Sequence, residues 1–185
     1  LCSSLGDIDA LEVMQGVHLD KRFSPVLEDG ERVKPGMITY LEAGCGFGGS
    51  CFPKDVKALI SHGVNAGESM ELLKSVIEIN RHQPEQVLER LRKHYPDFKN
   101  LNVGVLGLAF KPGTDDMRES PAIPIVDGLL DAGASIKAFD PVAEEEAKKH
   151  FPSSGVHSGR GAVGSTDDWC ASNKIFICFL DVHTP

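Results

Sequence analysis

The sequence lacks two features that would mark a membrane or nucleic-acid partner. It has no apolar run near the roughly 20 residues that cross a bilayer, because its best candidate, residues 174–182, is short and contains a lysine and an aspartate. It also has little positive charge, with 19 Lys and Arg against 27 Asp and Glu and a formal net charge of -8. Nucleic-acid binding needs a dense basic face. We therefore expect no membrane span and no nucleic-acid partner.

Cysteine and histidine are present without the spacings that make disulfide frameworks or metal sites. The five cysteines form no CxxC pair, and the seven histidines are scattered. An odd set of this kind favours reduced thiols in a cytoplasmic protein, and no metal site is expected. The first residues lack the basic and apolar regions of a signal peptide, and there is no initiator methionine, so we expect a piece of a longer protein.

Helical patterns dominate residues 1–95, which we interpret as one helical domain. Apolar spacing predicts a short helix over residues 8–16 and a second helix that starts at Pro53, a residue suited to a first helical turn, and ends near Gly63. A longer helical tract over residues 68–94 is predicted to be interrupted by Pro84 and to link two domains.

Strand and helix patterns alternate over residues 96–185, which we interpret as a second domain. Strands are predicted at residues 102–108, 135–139 and 174–182, and helices at residues 121–132 and 143–151. This succession predicts an α/β fold with a parallel sheet, in which ligands bind at the carboxyl ends of the strands.

A glycine-rich segment at residues 44–55 concentrates the candidate chemistry. Its four glycines allow close approach of the backbone to a ligand. Cys51 lies just before a predicted helix start, where the helix dipole and Lys54 favour a nucleophilic thiolate. Asp55, in the same turn, is placed to activate a water molecule. The alternative is a small buried cysteine after a flexible loop, which is the reading we prefer for Cys45.

Two long motifs resemble those of one enzyme family. GFGGSCFPKD at residues 46–55 resembles the active-site signature of the UDP-glucose 6-dehydrogenases, within the UDP-glucose/GDP-mannose dehydrogenase family. GVLGLAFKPGTDDMRESP at residues 104–121 resembles the start of that family's Rossmann-like nucleotide-sugar domain, and Asp20-Lys21-Arg22 is a weaker third match. The resemblance fades beyond about residue 140.

The resemblance implies an oxidoreductase that oxidises the sugar C6 alcohol of a UDP-sugar to a carboxylate with NAD, through a cysteine thiohemiacetal and thioester. It implies Cys51 as the nucleophile, Asp55 in water activation, and Lys54 and Arg118 as cofactor contacts. It also implies a homodimer or higher homo-oligomer, in which Arg22 enters the substrate site of a neighbouring subunit. The further substrate-binding residues that it implies are Glu42, Gly46, Phe47, Gly48, Phe110 and Lys111.

Complete members of the family also carry an N-terminal NAD-binding domain, so we expect this chain to be a central and C-terminal portion that is inactive alone. The run Gly104–Gly107 is not the GxGxxG dinucleotide fingerprint. Two alternatives remain open at this stage. One is a GDP-mannose 6-dehydrogenase, and the other is a non-catalytic module for nucleotide-sugar binding or dimerisation.

Overall fold

The computed structural model of the chain describes residues 1–6, 8–41, 43–151 and 174–178. These residues form two compact units, one from Leu1 to Gly44 and one that begins at Cys45. No helix within the described ranges is both long and apolar enough to cross a lipid bilayer.

The first unit contains helix α1 (Ala10–His18) and two short 3-10 helices (Cys2–Ser4 and Gly36–Leu41). Helix α1 begins after Asp9, whose carboxylate accepts a hydrogen bond from the Leu11 N–H at 2.8 Å and so caps the helix. The helix predicted over residues 8–16 is therefore confirmed, with both ends two residues further along the chain.

The second unit opens with helices α2 (Phe52–Asn65) and α3 (Glu71–His94). Pro53 lies in the first turn of α2, as the sequence predicts. The predicted interruption at Pro84 is wrong, because α3 continues through this residue. A proline withholds one hydrogen bond, but α3 also packs on α4, where Leu88 fills the space beside Gly128, and this packing favours a continuous helix.

Strands and helices then alternate through β1 (Asn102–Leu106), α4 (Ala122–Asp131), β2 (Ser135–Phe139), α5 (Glu144–His150) and β3 (Lys174–Cys178). The three strands form a parallel sheet in the order β2-β1-β3. The predicted α/β class with a parallel sheet is confirmed. The predicted strand β2 has the bounds found, whereas the part of the last predicted strand beyond Cys178 lies outside the described residues.

The core of this unit is formed by β1, β2 and α4. Val103 of β1 pairs with Ile136 of β2, and Ile125 and Leu129 of α4 belong to the same apolar cluster. All four residues are at most 1% exposed. Burying side chains of this size is the main stabilising contribution to such a unit. The central strand β1 is thereby fixed, and the loops that leave its carboxyl end start from a rigid position.

Candidate functional site

Cys51 caps the amino end of α2 and is exposed to solvent. Its carbonyl accepts the first helical hydrogen bond, from the Asp55 N–H at 2.8 Å, and no side chain caps the helix. The Cys51 Sγ lies 3.6 Å from the Ser50 Oγ. The thiol therefore stands at the positive end of a 14-residue helix and is open to a reactant.

Lys54 and Asp55 lie in the same first turn. Their side chains form an ion pair with Nζ and Oδ1 3.3 Å apart, and they are 70% and 67% exposed. An exposed pair of this kind adds little stability. Both groups are consequently available to a ligand that approaches Cys51.

The nucleophile loop, which we define as residues 45–51, packs directly against the long loop between β1 and α4. The Gly49 N–H donates to the Arg118 carbonyl at 2.8 Å. A Cβ atom at Gly48 would lie 2.2 Å from the Glu119 carbonyl oxygen, and one at Gly49 would lie 2.7 Å from the Phe110 ring. Both positions require glycine because backbone and ring atoms occupy the space of a side chain. The fold thus brings two sequence motifs together at Cys51.

An ion pair between α2 and the β1–α4 loop joins the same two motifs. The Lys57 ammonium lies 3.0 Å and 3.1 Å from the two carboxylate oxygens of Glu119. Glu119 itself has a left-handed backbone conformation with φ of 51°. Neither residue is singled out by the sequence analysis, since an exposed Lys or Glu has no distinguishing signal.

Asn80 of α3 holds the other end of the nucleophile loop. Its Oδ1 accepts the Phe47 N–H at 2.7 Å, and its Nδ2 donates to the Phe47 carbonyl at 2.9 Å. The Phe47 ring meets the Phe52 ring edge to face, with the centroids 4.7 Å apart. No sequence motif marks Asn80, whose one local signal is that it is an asparagine inside a helix, four residues before a proline.

Arg118 places a cation close to Cys51. Its guanidinium donates to both carboxylate oxygens of Asp116 at 2.9 Å and 2.8 Å, and these hydrogen bonds lower the pKa of Asp116 to about 2. Hydrogen bonding to the Asp116 carboxylate raises the pKa of Arg118, and the attraction between the two charges acts in the same direction. A cavity of about 250 Å³ adjoins Arg118, lined by Asp115, Asp116, Met117, Arg118, Glu146 and His150.

Lys111 and Phe110 lie together on the β1–α4 loop. The Lys111 Nζ stands 5.3 Å from the centroid of the Phe110 ring, within the range of a cation–π contact. The same ring covers Gly49, so Lys111, Phe110 and the nucleophile loop form one continuous surface.

Asp140 fixes the turn at the carboxyl end of β1. Its buried carboxylate accepts hydrogen bonds from the N–H groups of Leu108, Ala109, Val142 and Ala143 at 2.8–3.0 Å. Burial pushes the pKa of Asp140 upward, but the four donors outweigh it and hold that pKa below its ordinary value. The Leu108 and Ala109 N–H groups are thereby occupied and are not free to bind a phosphate.

The roles predicted for Arg22 and Glu42 stay predictions. Arg22 belongs to the first unit, is exposed, and forms hydrogen bonds with the carboxylate of Asp20. Glu42 lies outside the described residues. Cys45, predicted as a packing residue, is half-buried against the core, and burial raises its pKa.

Two family models match most of the chain. The model of the UDP-glucose/GDP-mannose dehydrogenase family, central domain, matches residues 1–82, and that of the family's UDP binding domain matches residues 104–174. A UDP-glucose 6-dehydrogenase of Haloferax volcanii is 41% identical over 152 residues, which cover 82% of this chain and 32% of the relative. The chain thus spans about a third of the length of the curated relatives that it matches.

Solved structures of dehydrogenases also superpose on the chain. A UDP-glucose dehydrogenase of Pyrobaculum islandicum superposes with a TM-score of 0.74 and 34% identity, over 96% of this chain and 37% of that one. A GDP-mannose dehydrogenase of Pseudomonas aeruginosa superposes with a TM-score of 0.58 and 24% identity, over 100% of this chain and 45% of that one. The second likeness is one of fold alone. Together the neighbours confirm the Rossmann-like architecture.

Proposed function

Because the chain belongs to the UDP-glucose/GDP-mannose dehydrogenase family, we propose that it carries the nucleophile and part of the substrate pocket of an NAD-dependent UDP-glucose 6-dehydrogenase. The single observation that carries this proposal is the position of Cys51, an exposed thiol at a helix amino terminus beside Lys54, Asp55 and Arg118.

The proposed reaction oxidises the C6 alcohol of the sugar in two steps of two electrons each. NAD supplies the oxidising power by accepting one hydride in each step. Between these steps the Cys51 sulfur forms a bond to the aldehyde carbon and gives a thiohemiacetal, whose oxidation gives a thioester. Water then attacks the thioester carbonyl, the carbon–sulfur bond breaks, the thiolate of Cys51 is regenerated, and the carboxylate leaves as UDP-glucuronate.

Asp55 and helix α2 each have a role in this scheme. Asp55 accepts a proton from the attacking water, since its exposed carboxylate stands one helical turn from Cys51. Helix α2 directs its free N–H groups towards the developing negative charge on sulfur and oxygen. Both contributions stabilise charge that appears only during the reaction.

The substrate surface consists of the nucleophile loop and the β1–α4 loop. The family resemblance assigns Gly46, Phe47 and Gly48 to the sugar side of this surface, and Phe110 and Lys111 supply a ring and a cation for the nucleotide. The family resemblance adds Glu42 to this pocket. It also adds Arg22, acting from a neighbouring subunit of a homo-oligomer.

In this chain, side chains are better suited than the backbone turn after β1 to contact NAD. The turn after β1 does not suit a dinucleotide pyrophosphate, because the Leu108 and Ala109 N–H groups are bonded to Asp140 and α4 begins only at Ala122. Lys54 and Arg118, by contrast, are exposed cations close to Cys51. They suit a cofactor that is held mainly by another part of the protein.

The first experiment tests the chemistry. The chain is fused to the N-terminal portion of the Haloferax volcanii relative, and NADH production from UDP-glucose is followed. We expect Cys51→Ser to lower the rate by about a thousandfold or more, because the hydroxyl is a far weaker nucleophile than a thiolate. Cys2→Ser is the control, because Cys2 is a free cysteine outside the nucleophile loop, and it should retain the rate. Completion of both oxidations by the Cys51→Ser fusion would exclude the thioester route.

The second experiment tests the substrate. Isothermal titration calorimetry of this chain with UDP-glucose and with GDP-mannose should give the tighter binding for UDP-glucose. Tighter binding of GDP-mannose would transfer the proposal to a GDP-mannose 6-dehydrogenase. Binding of UDP-glucose together with a catalytically silent fusion would favour a non-catalytic nucleotide-sugar module.

A further inference from the structure

We propose that Asn80 is a positioning residue for the nucleophile, because its amide fixes the backbone of the nucleophile loop through two hydrogen bonds to Phe47. The amide uses one acceptor and one donor on the N–H and carbonyl of the same residue. This paired geometry defines both the place and the orientation of the peptide chain at that point, which a single hydrogen bond does not do. The inference rests on the proposed function for its catalytic meaning.

The helix around Asn80 is adapted to receive the loop. Pro84 has no N–H to donate to the Asn80 carbonyl, which would be its partner in an uninterrupted helix. Gly46 lies against the same residue, because a Cβ atom there would be 2.8 Å from the Asn80 Oδ1 and 3.4 Å from the Asn80 carbonyl oxygen. Gly46 also has φ of 117°, so both the space and the backbone conformation require glycine.

A direct path leads from Asn80 to the sulfur. Asn80 holds the Phe47 backbone, and the Phe47 ring packs edge to face on Phe52. Phe52 is the first residue of α2 and follows Cys51 in the chain. Displacement of Phe47 would therefore move the ring that supports the helix start, and with it the nucleophile.

Separate contacts, with Arg118 and Glu119, hold the other end of the nucleophile loop. The Gly49 N–H bonds to the Arg118 carbonyl, and Gly48 packs against Glu119. A loop that is fixed at both ends has few conformations to lose when a substrate binds. Removal of the Asn80 amide leaves one end fixed, so the loop stays attached but loses its defined position.

The test compares Asn80→Leu, which has a similar shape without hydrogen bonds, with Gln86→Leu as the matched control. The Gln86 amide is exposed on the same helix and donates to the Gln83 side chain at 2.7 Å. Amide hydrogen exchange is measured at residue resolution on this chain. We expect the Phe47 N–H to be protected in the unmodified chain and to exchange about tenfold faster in Asn80→Leu. Gln86→Leu should leave it unchanged.

Two outcomes of the exchange experiment would overturn the proposal. The first is a Phe47 amide that exchanges equally fast in the unmodified chain and in Asn80→Leu. The second is a faster exchange of Val105 in β1 by the same factor, which would mark general destabilisation in place of a local effect. The unmodified chain supplies a measurement even where a variant fails to fold, because an unprotected Phe47 N–H there also contradicts the proposed hydrogen bond.

Calorimetry with UDP-glucose then tests whether the position of the nucleophile loop affects substrate binding. We expect Asn80→Leu to weaken binding about tenfold and Gln86→Leu to leave it unchanged. Unchanged binding by Asn80→Leu would refute the positioning role even if the Phe47 exchange rises. Absence of binding by the unmodified chain would instead refute the proposed function, while the exchange experiment still decides the role of Asn80 in the loop.

Discussion

The sheet core and the nucleophile loop of the second unit are held in place by different kinds of contact. In the core, the side chains of Val103 and Ile136 are buried in a cluster of apolar side chains on paired strands. The loop is held by hydrogen bonds from Asn80 and Arg118, and by glycines that leave room for other backbone atoms. A change in the core should therefore alter stability, whereas a change in the loop should alter the geometry of the site.

Because of this difference, we expect the two regions to tolerate substitution differently. An apolar core accepts another residue of similar volume, because dispersion contacts have no direction. A hydrogen bond to a backbone group requires a preferred direction and a narrow range of lengths. The four predictions below test this contrast.

The largest effect is expected in the core. Ile136→Ala should lower the free energy of unfolding by about 2–5 kcal/mol, because it leaves a cavity beside β1, and Ile136→Val should cost about 0.5–1.5 kcal/mol. Urea unfolding followed by circular dichroism measures both values. The rate at which iodoacetamide alkylates Cys51 in the folded protein should stay the same. A changed rate would show that core and loop are not separable.

The second effect concerns the turn after β1. Asp140→Ala should lower the free energy of unfolding at pH 7 by about 2–4 kcal/mol, because four backbone donors lose a charged acceptor in a buried place. The matched control is Asp97→Ala, which removes an exposed carboxylate with one backbone donor, from Lys99. It should cost under about 1 kcal/mol.

The same substitution has a defined pH dependence. The pKa of Asp140 is lower in the folded protein than its ordinary value, so the carboxylate stabilises the fold at neutral pH. This contribution is lost as the pH falls below about 4 and passes through the folded pKa. The difference between the unmodified chain and Asp140→Ala should therefore shrink in acid. A difference that is the same at pH 7 and pH 3 would contradict the proposed role of the charge.

The third effect concerns the loop. Gly48→Ala would place a Cβ atom 2.2 Å from the Glu119 carbonyl oxygen, so the loop must shift. We expect about 1–3 kcal/mol of destabilisation, together with at least about a tenfold loss of UDP-glucose affinity in calorimetry. Gly36→Ala is the control, because a Cβ atom there meets nothing within 4 Å. Equal affinities of the two variants would show that the close contact at Gly48 does not shape the site.

The smallest effect compares two cysteines within the same loop. Iodoacetamide should alkylate Cys51 at least about fivefold faster than Cys45 at neutral pH, since Cys51 is exposed whereas Cys45 is half-buried and burial raises its pKa. Mass-spectrometric mapping of peptides measures both rates, and Cys51→Ser provides the background for Cys45. Similar rates would place the two thiols in equivalent surroundings.

Local signals were sufficient for most of the helices and strands. The alternation of apolar residues predicts β2 with the bounds that are found, and Pro53 correctly marks the first turn of α2. The prediction of an interruption at Pro84 fails because a local rule about one missing hydrogen bond neglects the packing of α3 on α4. Tertiary contacts of this kind outweigh a local preference of a few kcal/mol.

The candidate site was predictable in part. The motif around Cys51 carries its own signal, because glycines, a cysteine and a helix start are adjacent in the chain. Asn80 carries almost no local sequence signal, because its hydrogen-bond partner Phe47 lies 33 residues earlier. Asp140 has no local signal for its role either, since its carboxylate accepts a hydrogen bond from the N–H of Leu108, 32 residues before it.

The sequence by itself determined the order of helices and strands, the α/β class and the identity of the candidate nucleophile, because these depend on neighbouring residues. Only the tertiary structure decided what stands around that nucleophile. Arg118 and Glu119 reach the loop of Cys51 because the parallel sheet directs the β1–α4 loop there, and Asn80 reaches it because α3 packs beside it. Contacts between residues far apart in the chain depend on the packing of whole elements, which no local pattern encodes.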